Sequence, residues 1–267
     1  MKNNSELFIC FALLAATTSA AGAESINLKT QTGNVYGLSF STYKYQEPSL
    51  MTLKGNKVGL DFTSTKAFEN SFFIRGDLRY ANGPVNYRSD RSGNSSGQPD
   101  WYLEARTLFG KDWATNDTVY STYTGLGYRS LSNYGDGVSS TGNWGYRRYS
   151  NYFYWPLGVI HRNALTDHAR LVTTLEYDHL LAGTQVSSLS DGGQGYDNVK
   201  NTQNSGFGFK LSVLVETDRW AIGPFANYWN IGVSNSATLF QNGAPVNTWS
   251  EPGNRTKEFG LMVSRRY

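Results

Sequence analysis

The chain has 267 residues, 28 of them Gly, with 15% aromatic and only 17% charged residues and a negative mean hydropathy. That profile excludes a polytopic bundle of membrane helices and suits many short strands separated by Gly/Asn/Ser/Asp loops. Lys and Arg number 24 against 21 Asp and Glu, a net +3 without any basic run, so no nucleic-acid partner is read from it.

The first segment reads as an export signal. Lys2 supplies a positive start, residues 7–16 form an apolar stretch too short to span a bilayer, and Ala21-Gly22-Ala23 is an A-x-A cleavage site. Residues 1–23 are therefore expected to be a signal peptide, leaving 24–267 as one domain. Cys10 falls inside the apolar stretch and Ile9 before it does not fit a lipoprotein site, so the mature chain has no cysteine. Such a chain is not a disulfide-stapled secreted module.

From there on the sequence alternates with a period of two, and no stretch of comparable quality carries a helical period. Ten runs are read, at about 35–46, 56–68, 71–87, 101–114, 118–131, 150–163, 169–185, 205–217, 219–234 and 256–267. In the second, Val58, Leu60 and Phe62 face opposite to Asp61; in the third, Phe72, Ile74, Leu78 and Tyr80 alternate with Arg75, Asp77 and Arg79. Leu171, Leu175, Tyr177 and Leu181 share a face, as do Phe207, Phe209, Leu211, Val213 and Val215.

The connections fall into two kinds. Asn70-Ser71, Asn116-Asp117, Thr166-Asp167 and Thr217-Asp218 sit in tight turns, whereas 88–100, 132–149, 186–204 and 235–255 are long and polar. Short on one side and long on the other is the pattern of a transmembrane barrel with periplasmic turns and extracellular loops. The fold expected is all-β: an antiparallel up-and-down barrel of ten strands, with eight or twelve as alternatives. Closure follows because backbone groups in hydrocarbon must all be paired, and it sends alternate side chains to lipid and to lumen. Trp101, Tyr102, Trp113, Tyr149, Tyr152, Tyr154, Trp220, Tyr228 and Trp229, near strand ends, are read as interfacial girdles. A soluble exported barrel with an apolar interior is the competing architecture.

Phe259, Leu261, Val263 and the terminal Tyr267 repeat at alternate positions, with Arg265 as a departure. Together with the stretches 125–129, 146–149, 152–158 and 228–231, this resembles the Gram-negative outer-membrane β-barrel superfamily of porin-like and OmpA-like small barrels. The resemblance implies a location in the outer membrane of a Gram-negative bacterium, with lipid and lipopolysaccharide as surroundings. It also implies that Phe259, Leu261, Val263 and Tyr267 form a signal read by the barrel assembly machinery.

Catalytic chemistry is sparse. His161 and His168 flank the turn at 164–168, and His179 lies on the row of Leu175 and Tyr177, pointing to lipid. Asp178 and His179 are adjacent on a strand and therefore face opposite ways, so they form no dyad of the kind that rim-sited barrel proteases use. Residues 191–198 have an Asp/Gly flavour but neither the spacing nor the closing Glu of a calcium loop. No Cys/His cluster suits zinc, and no catalytic, metal or cofactor set is assigned.

The inward row is richer. Asp61, Arg75, Asp77, Arg79, Glu104, Arg106, Arg129, Glu176, Asp178, Lys210, Glu216 and Glu258 should all point into the lumen, acids and bases interleaved. A ten-stranded barrel is only moderately wider than one filled by its own side chains, so these charges are expected to pair and close it. The function read is a non-enzymatic structural or surface-interaction barrel. A narrow porin-like channel is the alternative and an outer-membrane hydrolase comes third; the 143–149 stretch suits a sugar or an anionic headgroup no better than a membrane interface, so no extracellular ligand is named.

Overall fold

The computed structural model describes residues 26–115 and 118–267. The expected signal peptide, 1–23, and the expected Asn116-Asp117 turn lie outside the described residues. Among the described residues fifteen strands form: β1 (Gly33–Glu47), β2 (Met51–Ala67), β3 (Phe72–Asn82), β4 (Val85–Ser89), β5 (Gly93–Gln98), β6 (Asp100–Ala114), β7 (Thr118–Tyr134) and β8 (Arg147–Thr166). They continue as β9 (Ala169–Ser187), β10 (Val199–Gln203), β11 (Gly206–Glu216), β12 (Trp220–Ile231), β13 (Ala237–Gln241), β14 (Ala244–Trp249) and β15 (Asn254–Arg266). A single 3-10 turn, Leu189–Gly192, is the helical element among them.

Ten of these strands close a ring in the order β1-β15-β12-β11-β9-β8-β7-β6-β3-β2, with β2 returning to β1. Every pair is antiparallel, as expected for an up-and-down barrel. The seam joins the two ends of the chain. Val35 pairs with Arg266, and beyond the ladder Tyr267 and Asn34 exchange backbone hydrogen bonds of 2.8 and 3.1 Å. Wall strands run from 11 to 20 residues, enough for a tilted crossing of hydrocarbon at about 9–11 residues per strand.

The tight turns end strands on one side. Phe68 and Phe72 close one of them (2.9 Å, Phe68 N–H to Phe72 O) with Ser71 at φ 67°, and Thr217 and Trp220 close another at 2.7 Å. On the opposite, loop side, the β1–β2 connection is also short, only residues 48–50, an exception to the alternation of short and long.

The third run, 71–87, divides into two strands. Pro84 has no N–H to donate, so β3 stops at Asn82; β4 then pairs with the loop-side end of β2, Thr52–Gly55, and carries β5 as a hairpin. The long polar stretches are likewise partly ordered. The 186–204 segment contains the 3-10 turn and β10, and 235–255 contains the β13–β14 hairpin. Its turn is Asn242-Gly243, at φ 51° and 77°, the Asn-Gly chemistry of a type I′ hairpin.

The outer surface is apolar. Leu38, Phe40, Val58, Leu60, Leu175, Leu211 and Leu261 are all exposed, on the rows that alternation assigns to lipid. The inner surface carries the buried charges and a second set of rings. Tyr102, Tyr152, Tyr154 and Trp229 are buried in the lumen, which corrects their reading as girdle residues. Their parity decides it, since Tyr102 is in step with Glu104, and Tyr152 and Tyr154 with Ile160. Exposed Trp113 and Trp220, toward the turns, stay on the outer face.

Candidate functional site

The lumen is layered. Toward the loops, Tyr152, Tyr154, Leu180, Trp229 and Ile231 pack into one buried cluster, with Trp229 edge-on to Tyr154 at 5.1 Å. Tyr154 lies over Gly127 of β7: a Cβ there would stand 2.2 Å from the ring, so glycine makes the space that the tyrosine fills. Beyond this cluster, Lys57 meets Asp100 at 2.5 Å and Arg148 meets Glu47 at 2.7 Å, all four largely buried.

The middle layer is ionic. Arg79 donates to Asp61 (2.7 Å), to Glu258 (3.1 Å) and through Nε to the Tyr102 hydroxyl (2.7 Å). Tyr102 in turn donates to Glu258 at 2.7 Å, and Ser41 and Asn227 add bonds of 2.8 and 3.1 Å to the same carboxylate. Asp77 accepts from Thr63, Arg75 and Arg106, each at 2.7 Å. Arg106 also reaches Glu176 at 2.5 Å, which Tyr123 joins at 2.7 Å. Lys210 contacts Glu104, Glu176 (3.0 Å) and Asp178 (3.4 Å), and Arg129 contacts Glu104 at 3.2 Å. Arg129 stacks over the Tyr102 ring at 4.2 Å, so one ring links the two groups of charges.

Eleven of the twelve inward charges named from the sequence thus meet in this layer. Glu216 stands apart, held by Arg170 at 2.8 and 3.0 Å nearer the turns. Sequence reasoning passed over Lys57, Asp100, Asp112, Arg162, Arg170 and the inward tyrosines. The signal was present: Lys57 shares the parity of Asp61, and Asp100 and Asp112 that of Glu104. Asp178 is distinctive within the layer, since it is fully buried and neither of its oxygens has a hydrogen-bond partner among the described residues.

Toward the turns the lumen widens into a cavity of about 270 Å³. Residues 26–32 run across its mouth. Thr30 donates to Asp112 through its backbone N–H (2.7 Å) and its hydroxyl (2.9 Å), Arg170 donates to the Asn27 carbonyl, and Arg266 donates to Gln31 at 2.7 Å.

The remaining candidates stand apart from the lumen. His179 is exposed beside Tyr177, while its neighbour Asp178 is buried on the other face. His161 stacks on Tyr120 at 4.6 Å, and His168 lies in the two-residue turn before β9. In the loops, Asp191 accepts three hydrogen bonds from Arg147, of 2.8–3.0 Å. These bonds hold the Asp191 carboxyl below its ordinary range. Phe259, Leu261, Val263 and Tyr267 are exposed along the outward face of the last strand and its end. Arg265 in the same row lays its guanidinium over Trp220 and Tyr267, at 5.3 and 5.0 Å, so the charge rests on ring faces beside the turns.

No family model and no curated protein matches the chain. Solved structures do. The outer membrane protease OmpT from Escherichia coli superposes with a TM-score of 0.62 at 10% identity, covering 91% of this chain and 99% of that one. The fold is that of an outer-membrane β-barrel. Looser likenesses include the translocator domain of the autotransporter NalP from Neisseria meningitidis (TM-score 0.41, 12% identity, 89% and 90% covered). The toluene transporter TodX of Pseudomonas putida is another (0.35, 10%, 89% and 90%). This chain has its ring, its apolar outer face and its polar interior in common with that architecture.

Proposed function

We propose that this chain is a non-enzymatic protein of the Gram-negative outer membrane, its turns in the periplasm and its loops outside, with a structural or surface-interaction role. The observation that carries the reading is that side chains bridge the lumen. Lys210 of β11 meets Glu104 of β6, four strands away around a ring of ten. Above that contact Tyr152, Tyr154 and Trp229 pack together, buried inside the ring. Lipid and lipopolysaccharide surround such a barrel, and the outward row Phe259, Leu261, Val263 and Tyr267 serves as the signal to the assembly machinery. The ordered loop-side hairpins β4–β5 and β13–β14 supply the surface on which an external partner acts.

The narrow-channel reading keeps one supporting feature, the turn-side cavity. A swelling assay on proteoliposomes separates the two. The closed barrel leaves the vesicles impermeable to small sugars and amino acids, whereas uptake rising in proportion to reconstituted protein makes it a channel.

A further inference from the structure

We propose that the turn-side chamber of the lumen binds a small phosphate-type oxyanion. Among the described residues its lining holds eight Lys or Arg against five Asp or Glu. The acids nearest its mouth are already engaged. Glu216 is held by Arg170, and the adjoining Asp112 accepts from Thr30 and Ser121.

Among the described residues, that leaves three guanidinium groups with donors to spare. Arg75 makes one hydrogen bond, from Nε to Asp77 at 2.7 Å. Arg162, whose side chain is 9% exposed, makes one to Ser121 at 2.5 Å and stands 3.9 Å from Asp112. Arg266 makes one to Gln31 at 2.7 Å, with Glu216 3.8 Å away. All three side chains line the same cavity. A guanidinium does not give up its proton, so charge enclosed in this way draws an anion, and its forked N–H groups match the tetrahedral oxygens of phosphate.

Size narrows the class further. At about 270 Å³ the chamber falls just below the range of pockets that enclose drug-sized ligands, about 300–1,000 Å³. It suits inorganic phosphate or a phosphate on a short organic stem, entering from the turn side past residues 26–32.

The test is isothermal titration of the refolded barrel, in a neutral detergent at constant chloride, with inorganic phosphate and separately with glycerol phosphate. Saturable binding of either supports the proposal, and the tighter of the two assigns the free or the organic ligand. Arg162→Gln and Arg75→Gln should each weaken binding about tenfold or more, while Lys257→Gln, on the outer face, leaves it unchanged. Heat-modifiable gel mobility checks that each variant is folded; where Arg162→Gln fails to fold, Arg75→Gln carries the comparison. Absence of saturable binding, or affinity equal in wild type and every folded arginine variant, overturns the proposal.

Discussion

The Tyr102 hydroxyl of β6 donates to Glu258 of β15 across 2.7 Å, although the strands β3, β2 and β1 separate them around the wall. In a ring of ten, that is close to a diameter. A water-filled bore has no room for such a contact, whereas a core made of side chains requires it. On the proposed function, the charges that look like a channel lining in sequence are the packing of a narrow cylinder.

Removing one member of the layer should therefore cost stability first. Arg79→Ala strips Asp61 and Glu258 of their shared partner, and breaking a buried pair costs about 3–5 kcal/mol. Asp61 keeps some access to water through the turn-side cavity, so a value near the low end, about 3 kcal/mol, is expected in urea refolding titrations. A loss below about 1 kcal/mol, typical of exposed pairs, would place the layer in solvent.

The two faces can be told apart in one strand. Leu211 points out at 45% exposure and Ser212 points inward beside the cavity. Leu211→Arg should cost about 2–4 kcal/mol if it sits near the bilayer midplane, and Ser212→Ala far less. Equal costs in lipid vesicles would mean that the assignment of faces is inverted.

At the seam, deletion of Tyr267 removes both backbone bonds to Asn34 and the edge contact with Tyr36 at 5.6 Å. The yield of heat-modifiable, folded protein in outer-membrane fractions should fall more than on deletion of any single loop residue. Unchanged yield would separate the terminal residue from assembly.

The loop clasp between Asp191 and Arg147 should respond to acid. Asp191 titrates below its ordinary value in the folded chain because Arg147 hydrogen-bonds it. Its contribution is therefore complete above the ordinary carboxylate value of 3.8 and is lost as pH falls through the lower folded value. Hydrogen exchange at the Arg147 amide, which donates to Asp191 at 2.9 Å, reads this directly. Protection relative to Asp191→Ala at each pH should hold at neutrality and vanish in strong acid; protection surviving to the lowest pH counts against the clasp.

Much of the barrel was legible in the sequence because one physical rule governs it. Hydrocarbon outside and polar groups inside force a period of two, and the rows through Leu60, Ile74, Leu175 and Leu211 carry it plainly. The tyrosines inside were not legible by type, since a ring suits either a membrane interface or a packed lumen, and only parity with neighbours such as Glu104 separates the two. The split at Pro84 was marked by a residue without an N–H inside the run 71–87, and the β13–β14 turn by Asn242-Gly243 in a polar stretch where alternation gives no support. Partner choice within the lumen, such as Arg106 reaching both Asp77 and Glu176, depends on curvature and stagger that a linear sequence does not display.

Planar-bilayer recording of the purified wild-type barrel tests the side-chain core most directly. The account predicts a silent protein, with conductance appearing only when Glu104, Glu176 and Asp178 are neutralised together and the cross-lumen contacts of Lys210 are lost. Large, stable, ion-selective steps from the wild type, altered by Arg79→Ala without loss of stability, would contradict it.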